Sequence, residues 1–449
     1  MKFYNRTREI QLLSQLKEQT ADTARMTVLT GRRRVGKTKL ALEFARDHKH
    51  LYFFIAKKSE QLLCEEFLTE IKNQFSMPVI GKIRSFKDIF ALLLQLAQTE
   101  QFTLILDEFQ EFYTINPAVY SEIQHLWDLN KDKTHLNLIC IGSVYSLINK
   151  IFQNSKEPLF GRADRVISLK PFSISTLSQI LADHKFQKSG TLFEWYVLTG
   201  GMPKYIDSLI SNSDGTLTNM LEFMVSEYSP FLQEGKNVLI EEFGKEYGTY
   251  FSILELISRG KTSRGEIESA MERNIGGYLS RLENDYNLIS RIRPINAKPN
   301  ARLVKYCLED HFLKFWFRFI HRNWSAVETG NFSYIREIIS RDFQTYCGRL
   351  LEQFFHDLFA ASGKYNQLGA YWEKKNLNEI DLVAINDIEK IIVMAEIKMN
   401  KKRISMSILQ EKSKNLLASY PDYDPQWLAL GIEDISQYDQ WHDNDRIGE

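Results

Sequence analysis

Two short stretches of this 449-residue chain carry residue types that can do phosphate chemistry. The first is Gly31-Arg32-Arg33-Arg34-Val35-Gly36-Lys37-Thr38, a pair of glycines bracketing four residues and closed by Lys-Thr. Glycine tolerates backbone angles that other residues resist, so successive N–H groups can turn inward around phosphate oxygens at a helix N-terminus. Lys37 then reaches the β- and γ-phosphates and Thr38 ligates Mg²⁺, with Lys39 the last residue of the cradle. The second stretch is Asp107-Glu108, which ends the apolar run Thr103-Leu104-Ile105-Leu106. Asp107 is placed to hold the Mg²⁺ shell through water, and Glu108 to take a proton from an attacking water. A pair of acids at a strand end is by itself a common solvated feature; the loop upstream is what favours the chemical reading.

The elements that must position these residues are legible around them. Met26 to Leu29 reads as a strand before the loop and Leu40 to Ala45 as a helix after it, the setting that separates a phosphate loop from a chance match. Phe3 to Lys17 is a lead-in and helix of the kind that often covers a base. Leu51 to Ile55 is a compact buried strand, and three-and-four spacing predicts helices over 59–76 and 85–99. Leu138 to Ile141 is a further buried strand ending in Gly142-Ser143. Ser143 is placed to sense the γ-phosphate or orient the water; a serine beginning a turn is the plain alternative. In Gly161-Arg162-Ala163-Asp164-Arg165, either arginine could neutralise transition-state charge, in cis or across a subunit interface. Arg162 is preferred because the preceding glycine lets the backbone approach closely, and a surface salt bridge competes with that role. Residues 173–235 read as helical, punctuated at Gly200-Gly201-Met202-Pro203, and form a helical lid.

Lys+Arg and Asp+Glu number 57 each, so any attraction to nucleic acid or membrane must come from local patches. The length is about three domains' worth. Cys64, Cys140, Cys307 and Cys347 form no C-x-x-C pair, which argues against a zinc site or a disulfide framework and for a reducing compartment. Charge interrupts the first residues before an apolar segment can form, and no apolar stretch is long enough to span a membrane. The expectation is a cytoplasmic protein.

One patch lies in the middle of the chain. Helices at Tyr250–Ile257, from Ser263 to Met271 and from Ile275 to Tyr286 precede two short strands, Leu288–Ile295 and Arg302–Leu308, parted by Asn296-Ala297-Lys298-Pro299-Asn300. Three helices and a two-stranded wing make a winged helix-turn-helix. Residues 257–306 hold ten Lys/Arg against five acids, a local charge of +5. That surplus suits DNA, mostly at the backbone, because Gly276-Gly277-Tyr278-Leu279-Ser280 offers few base-reading side chains. Protein docking is the alternative use of such a module.

The opening Phe3-Tyr4-Asn5-Arg6 with Glu9-Ile10, the arginine-rich loop, Leu106-Asp107-Glu108, Gly142-Ser143, Gly161-Arg162 and Gly201-x-Pro203 together resemble the archaeal-type ATPases, a branch of the AAA+ and STAND P-loop ATPases. Thr7 departs from that pattern, where an acid is expected after Asn-Arg. The resemblance implies ATP and Mg²⁺ as cofactors and an α/β fold: a three-layer P-loop NTPase core with a parallel sheet over 1–172 and a helical lid over 173–240. It also implies a winged helix over 241–310, a helical linker over 311–345, and over 346–449 a restriction-endonuclease-like α/β domain.

That last part has its own chemistry. Glu396 and Lys398 alternate onto one face of a strand, and a hairpin turned at Asn386-Asp387 can bring Asp381 beside them. This D…E-x-K set resembles the PD-(D/E)xK nucleases, with Glu352 matching the helix acid and Gln410 a supporting position. The carboxylates of Glu352, Asp381 and Glu396 would hold Mg²⁺ or Mn²⁺, while Lys398, not itself a ligand, orients or deprotonates the nucleophile. Lys401-Lys402-Arg403 could guide a phosphate backbone or be a solvated turn. Residues 421–449, with eight acids and one arginine, form an acidic tail. The first hypothesis is a DNA-associated ATPase governing a metal-dependent nuclease-like domain. The others are a nucleotide-gated switch or scaffold with an inert nuclease fold, and a sequence-specific regulator; an oligomer is compatible with each.

Overall fold

Short, wholly apolar runs set the centre of the first unit, Met1–Pro171. In the computed structural model, Arg25–Gly31 (β1), His50–Phe54 (β2), Phe102–Asp107 (β3), Leu136–Ile141 (β4) and Arg165–Leu169 (β5) pair in parallel in the order β2-β3-β4-β1-β5. Every residue of β3 and β4 is buried, the pattern of strands covered on both faces. The structure describes residues 1–76, 83–186, 191–243, 247–298, 301, 303–374 and 377–438.

The strand order decides where the chemistry goes. Because β4 inserts between β1 and β3, Gly31, Asp107 and the Gly142-Ser143 pair emerge side by side at the carboxyl edge of the sheet. The expected helices fall on Glu60–Phe75 and Phe86–Leu96; Ser85 caps the second by accepting from Asp88 N. Stacked Phe53 and Phe67, with ring centroids 4.2 Å apart, tie the first of them to β2.

The second unit begins at Phe172. Helices Ile174–Asp183, Thr191–Thr199, Pro203–Asn212, Leu217–Met224 and Phe231–Phe243 fill the stretch read as helical, with Gly200 to Met202 as the break. Helices Tyr247–Ser258, Arg264–Met271 and Gly276–Asn284 follow, then an antiparallel ribbon of Ile289–Ile292 (β6) and Lys305–Leu308 (β7). Ser263 starts the middle helix through a capping box with Glu266. β6 is shorter than expected, since Pro294 has no N–H for a ladder. The chain there turns to another sheet, Ile295 N donating to Ala370 O at 2.9 Å. Pro299, Asn300 and Arg302 lie outside the described residues.

The carboxyl-terminal part runs from helix Phe332–Ala361 through Gln367–Tyr371 (β8), Ile380–Asn386 (β9) and Ile391–Ile397 (β10). Helix Met406–Leu417 and Asp424–Leu430 (β11) complete it. The sheet order is β11-β10-β9-β8, with β10 antiparallel to β9 and parallel to β11. A boundary at 345/346 does not correspond to a break. It falls inside one helix of 30 residues whose buried positions, Ile339, Phe343, Cys347 and Leu350 among them, continue across it.

The aromatic run over 312–320, before that helix, is core packing. Helix His311–Phe315 passes into a π-helical turn, Trp316–Ile320, and Trp316 Nε1 donates to Leu232 O at 2.8 Å. Gly235 lies flat under the indole: a Cβ there would stand 2.3 Å from the ring. Gly235→Ala should therefore cost about 1–3 kcal/mol of stability through overpacking. Urea unfolding checks it; an unchanged midpoint would mean the helix moves aside freely.

Candidate functional site

The phosphate loop connects β1 to helix Lys37–Ala45. Gly31 has φ +131°, and a Cβ there would meet Leu169 O at 2.4 Å; Gly36 has φ +93° at the helix N-cap, so both glycines are needed for the loop's path. The amides of the loop's end thereby face the positive end of a helix. Lys37 is buried, and its ammonium donates to Gly31 O at 2.9 Å and Arg32 O at 3.0 Å, inside the loop that Arg32, Arg33, Arg34 and Val35 complete.

The loop is joined to the central strand by one side-chain pair. Thr38 Oγ1 donates to Asp107 Oδ2 at 2.6 Å, and Tyr52 on β2 donates its hydroxyl to the same oxygen at 2.9 Å. Asp107 Oδ1 accepts from Glu108 N at 2.9 Å, so this buried carboxylate is held from three sides. Hydrogen bonds to a charged group are worth about 1.5–3 kcal/mol, enough to fix its rotamer. Burial and the charge of Asp107 push the Tyr52 phenol up, which keeps it a donor. Hydroxyl and carboxylate oxygens in contact at the mouth of a phosphate loop are the hard donors that Mg²⁺ selects.

Glu108 turns out of the strand with φ +57° and swings toward β4. Its Oε2 accepts from Ser143 Oγ at 2.6 Å and from Gln110 Nε2. The expected base and the expected sensor are thus in direct contact. Gln110 was not anticipated, although it follows the acid pair by two residues; nor was Tyr52, hidden within an apolar strand.

Two expected participants lie elsewhere. Arg162 pairs with Asp128 at 3.1 Å and with Phe160 O at 2.8 Å. Its neighbour Asp164 accepts from Met26 N at the amino end of β1, whereas the phosphate loop leaves the carboxyl end. Seven strand residues separate those edges, about 20 Å, so Arg162 is not part of its own chain's phosphate site. Arg165 starts β5 at the same amino edge. Lys39, two residues or about 200° around the helix from Lys37, turns outward and donates to Met1 O at 2.9 Å. Instead Arg6, quoted only as part of a motif, reaches the loop: its guanidinium donates to Val35 O at 3.4 Å and Lys170 O at 2.6 Å.

The second cluster forms on the β9–β10 hairpin. Register pairs Ala395 with Leu382, so the next step sets Glu396 across from Asp381. Asp381 Oδ2 accepts from Ile397 N at 2.8 Å, and Lys398 Nζ lies 3.1 Å from Glu396 and 3.6 Å from Asp381. Burial, then the charge of Asp381, pushes the Glu352 carboxyl up, to about 8. Burial also raises Asp381, against the pull of the Ile397 amide and Lys398. Gln410 is exposed; Lys412 takes its place, reaching Glu396 at 3.0 Å. Among the described residues no three His, Cys, Asp or Glu side chains converge as a ready-made metal site. Two lysines, Lys398 and Lys412, stand against Glu396. Lys401 pairs with buried Asp434 at 2.7 Å.

The segment that carries the first site is a part of the chain for which known proteins offer a likeness. Residues 3–209 match the family of ATPase domains predominantly from Archaea. Over this segment the chain is similar to archaeal-type ATPase domains. Residues 316–414 match a family of archaeal and bacterial proteins of unknown function. An uncharacterised protein of Methanocaldococcus jannaschii is 26% identical over 442 residues, 96% of this chain and 95% of that one. The Walker-type ATPase of Pyrococcus abyssi is similar in fold, with a TM-score of 0.54 at 19% identity, over 70% of this chain and 96% of that one. The Aeropyrum pernix ORC2 protein, solved with ADPNP and ADP, has a TM-score of 0.44 at 14% identity, over 73% of this chain and 95% of that one. Among the described residues no helix is long and apolar enough to cross a membrane.

In the ATPase domain, Glu108→Gln should keep ATP binding and lower turnover by about 100-fold or more, the loss expected when a positioned base is removed. Arg162→Ala should leave turnover within about twofold, since an exposed ion pair contributes little. Phosphate release alongside ATP binding checks both; a large loss in Arg162→Ala would place that arginine on a neighbouring copy's nucleotide.

Proposed function

We propose that the chain binds and hydrolyses ATP between Gly31 and Thr38 and uses that cycle to govern a DNA-associated, nuclease-like second unit. The contact of Thr38 with Asp107 carries the first half: it joins the phosphate loop to the strand that delivers the acids. Thr38 and Asp107 would hold Mg²⁺, which when bound neutralises phosphate charge and polarises the transferred group. Lys37 gives its ammonium to phosphate oxygens in exchange for Gly31 O and Arg32 O. Glu108, aimed by Ser143 and Gln110, accepts the proton of the attacking water.

The second half is supported by the element order helix, β8, β9, β10, helix, β11 with Asp381, Glu396 and Lys398 gathered on one hairpin. Glu352, Asp381 and Glu396 are the carboxylates that would take Mg²⁺ or Mn²⁺ there. DNA association rests on the +5 charge of residues 257–306.

A switch with a protein-binding winged module is the second reading, and particular contacts favour it. Arg281 donates to Tyr250 OH at 3.2 Å and Arg273 to Tyr278 OH at 2.8 Å, while Arg264 and Arg291 pair with Glu268 and Glu283. Lys305 pairs with Glu379 at 2.8 Å. These contacts hold several of the segment's cations in place, and Lys305–Glu379 reaches an acid outside residues 257–306.

Phosphate release and mobility shift across a salt series separate the two. Lys37→Ala should abolish turnover; retained turnover would put hydrolysis at another site. On any duplex a log–log affinity slope of about −3 or steeper, from several phosphate contacts, is expected if DNA is the partner. No shift at low salt would favour the protein-binding switch.

A further inference from the structure

Glu396 meets more positive charge than its own motif supplies. Lys398, two residues on, accounts for one ammonium at 3.1 Å from Oε1. The other comes from a different element: Lys412 Nζ stands 3.0 Å from Oε2 and 3.3 Å from Oε1, astride the carboxylate. Its placement follows from how the helix Met406–Leu417 is fixed. Leu409, Ser413 and Leu416 are buried, and Ser413 Oγ accepts from Trp427 Nε1 at 3.1 Å, so the turn that carries Lys412 is pinned against the sheet. The Lys412 side chain is 27% exposed and that of Glu396 13%, so the pair is only partly screened by water.

An ammonium lying across both oxygens uses the directions that a hard divalent ion would need. The two cations cannot share them, because each would repel the other within a few ångströms. We propose that Lys412 is a tethered cationic plug: it and a divalent cation compete for Glu396, so the acid cluster stays closed to metal until the ammonium is drawn away. This rests on reading the cluster as a metal-dependent phosphodiester site. An anionic phosphodiester backbone is the ligand that can draw Lys412 off, since it offers replacement oxygens while bringing charge that a metal ion offsets. Metal loading is then conditional on nucleic acid, which restrains the site when no polyanion is present. Lys398 does not serve this purpose, because it also spans to Asp381 at 3.6 Å and stays between the two carboxylates.

The test is Mn²⁺ binding by the full chain, free of nucleotide, followed by the electron paramagnetic resonance of unbound Mn²⁺. Glu396→Gln defines the component that belongs to this cluster and removes any contribution of the phosphate loop from the comparison. Lys412→Met should tighten the Glu396-dependent component by about tenfold or more, the scale of one adjacent charge. Lys412→Arg, which keeps the charge, should remain as weak as the parent, and this pair distinguishes the plug from a general loosening of the helix. Equal affinity in the parent and Lys412→Met, with dependence on Glu396 intact, would overturn the plug and leave the metal site standing. No Glu396-dependent Mn²⁺ in any of these proteins would overturn both.

Discussion

The short hydrogen bond from Thr38 to Asp107 is the constraint on which the first unit depends. A phosphate loop alone is a concave set of amides, and an acid at a strand end is an ordinary solvated group. Joined across β4 by one 2.6 Å contact, they define a single point where the charge of a metal–triphosphate would be met from both sides. The order β2-β3-β4-β1-β5 makes the contact reachable. The left-handed turn at Glu108 then keeps the second acid from stacking on the first and sends it to Ser143.

In the second unit, too, several charged side chains are engaged within the protein. Arginines of the three-helix segment hold tyrosines and glutamates of their own neighbourhood. Where β6 ends, the chain bridges to β8 through Pro294 and Ile295 at Ala370. A net local charge read from sequence counts these cations as available; geometry shows which are already engaged. The Asp381–Glu396 pair follows the same logic, its carboxylates balanced by Lys398 and Lys412.

Much of this was legible in the chain itself, for identifiable reasons. Fully apolar strands, a glycine-bracketed loop and acids at a strand end are local signals, so β1, β3, β4 and the Gly31–Thr38, Asp107-Glu108 and Ser143 positions could be placed from spacing. The hairpin that brings Asp381 to Glu396 was equally local, since period-two alternation and a turn suffice. What sequence did not reveal depends on register between distant elements. Arg162 looked close to the site because it follows a site strand, yet the helix Tyr145–Gln153 and the turns after it carry the chain to the opposite edge. Tyr52 and Lys412 gave no motif signal, because each acts through a partner supplied by another element. The helix Phe332–Ala361 runs through the expected 345/346 boundary because its buried face continues across it.

The central claim is that Asp107, held by Thr38 and Tyr52, is where metal and nucleotide binding become one event. Calorimetric titration with ATP, with and without Mg²⁺, on the parent chain and on Asp107→Asn tests it most directly. The account predicts saturable binding in both proteins and a gain in affinity from Mg²⁺ only in the parent. Absence of saturable ATP uptake, or an undiminished Mg²⁺ effect in Asp107→Asn, would contradict it.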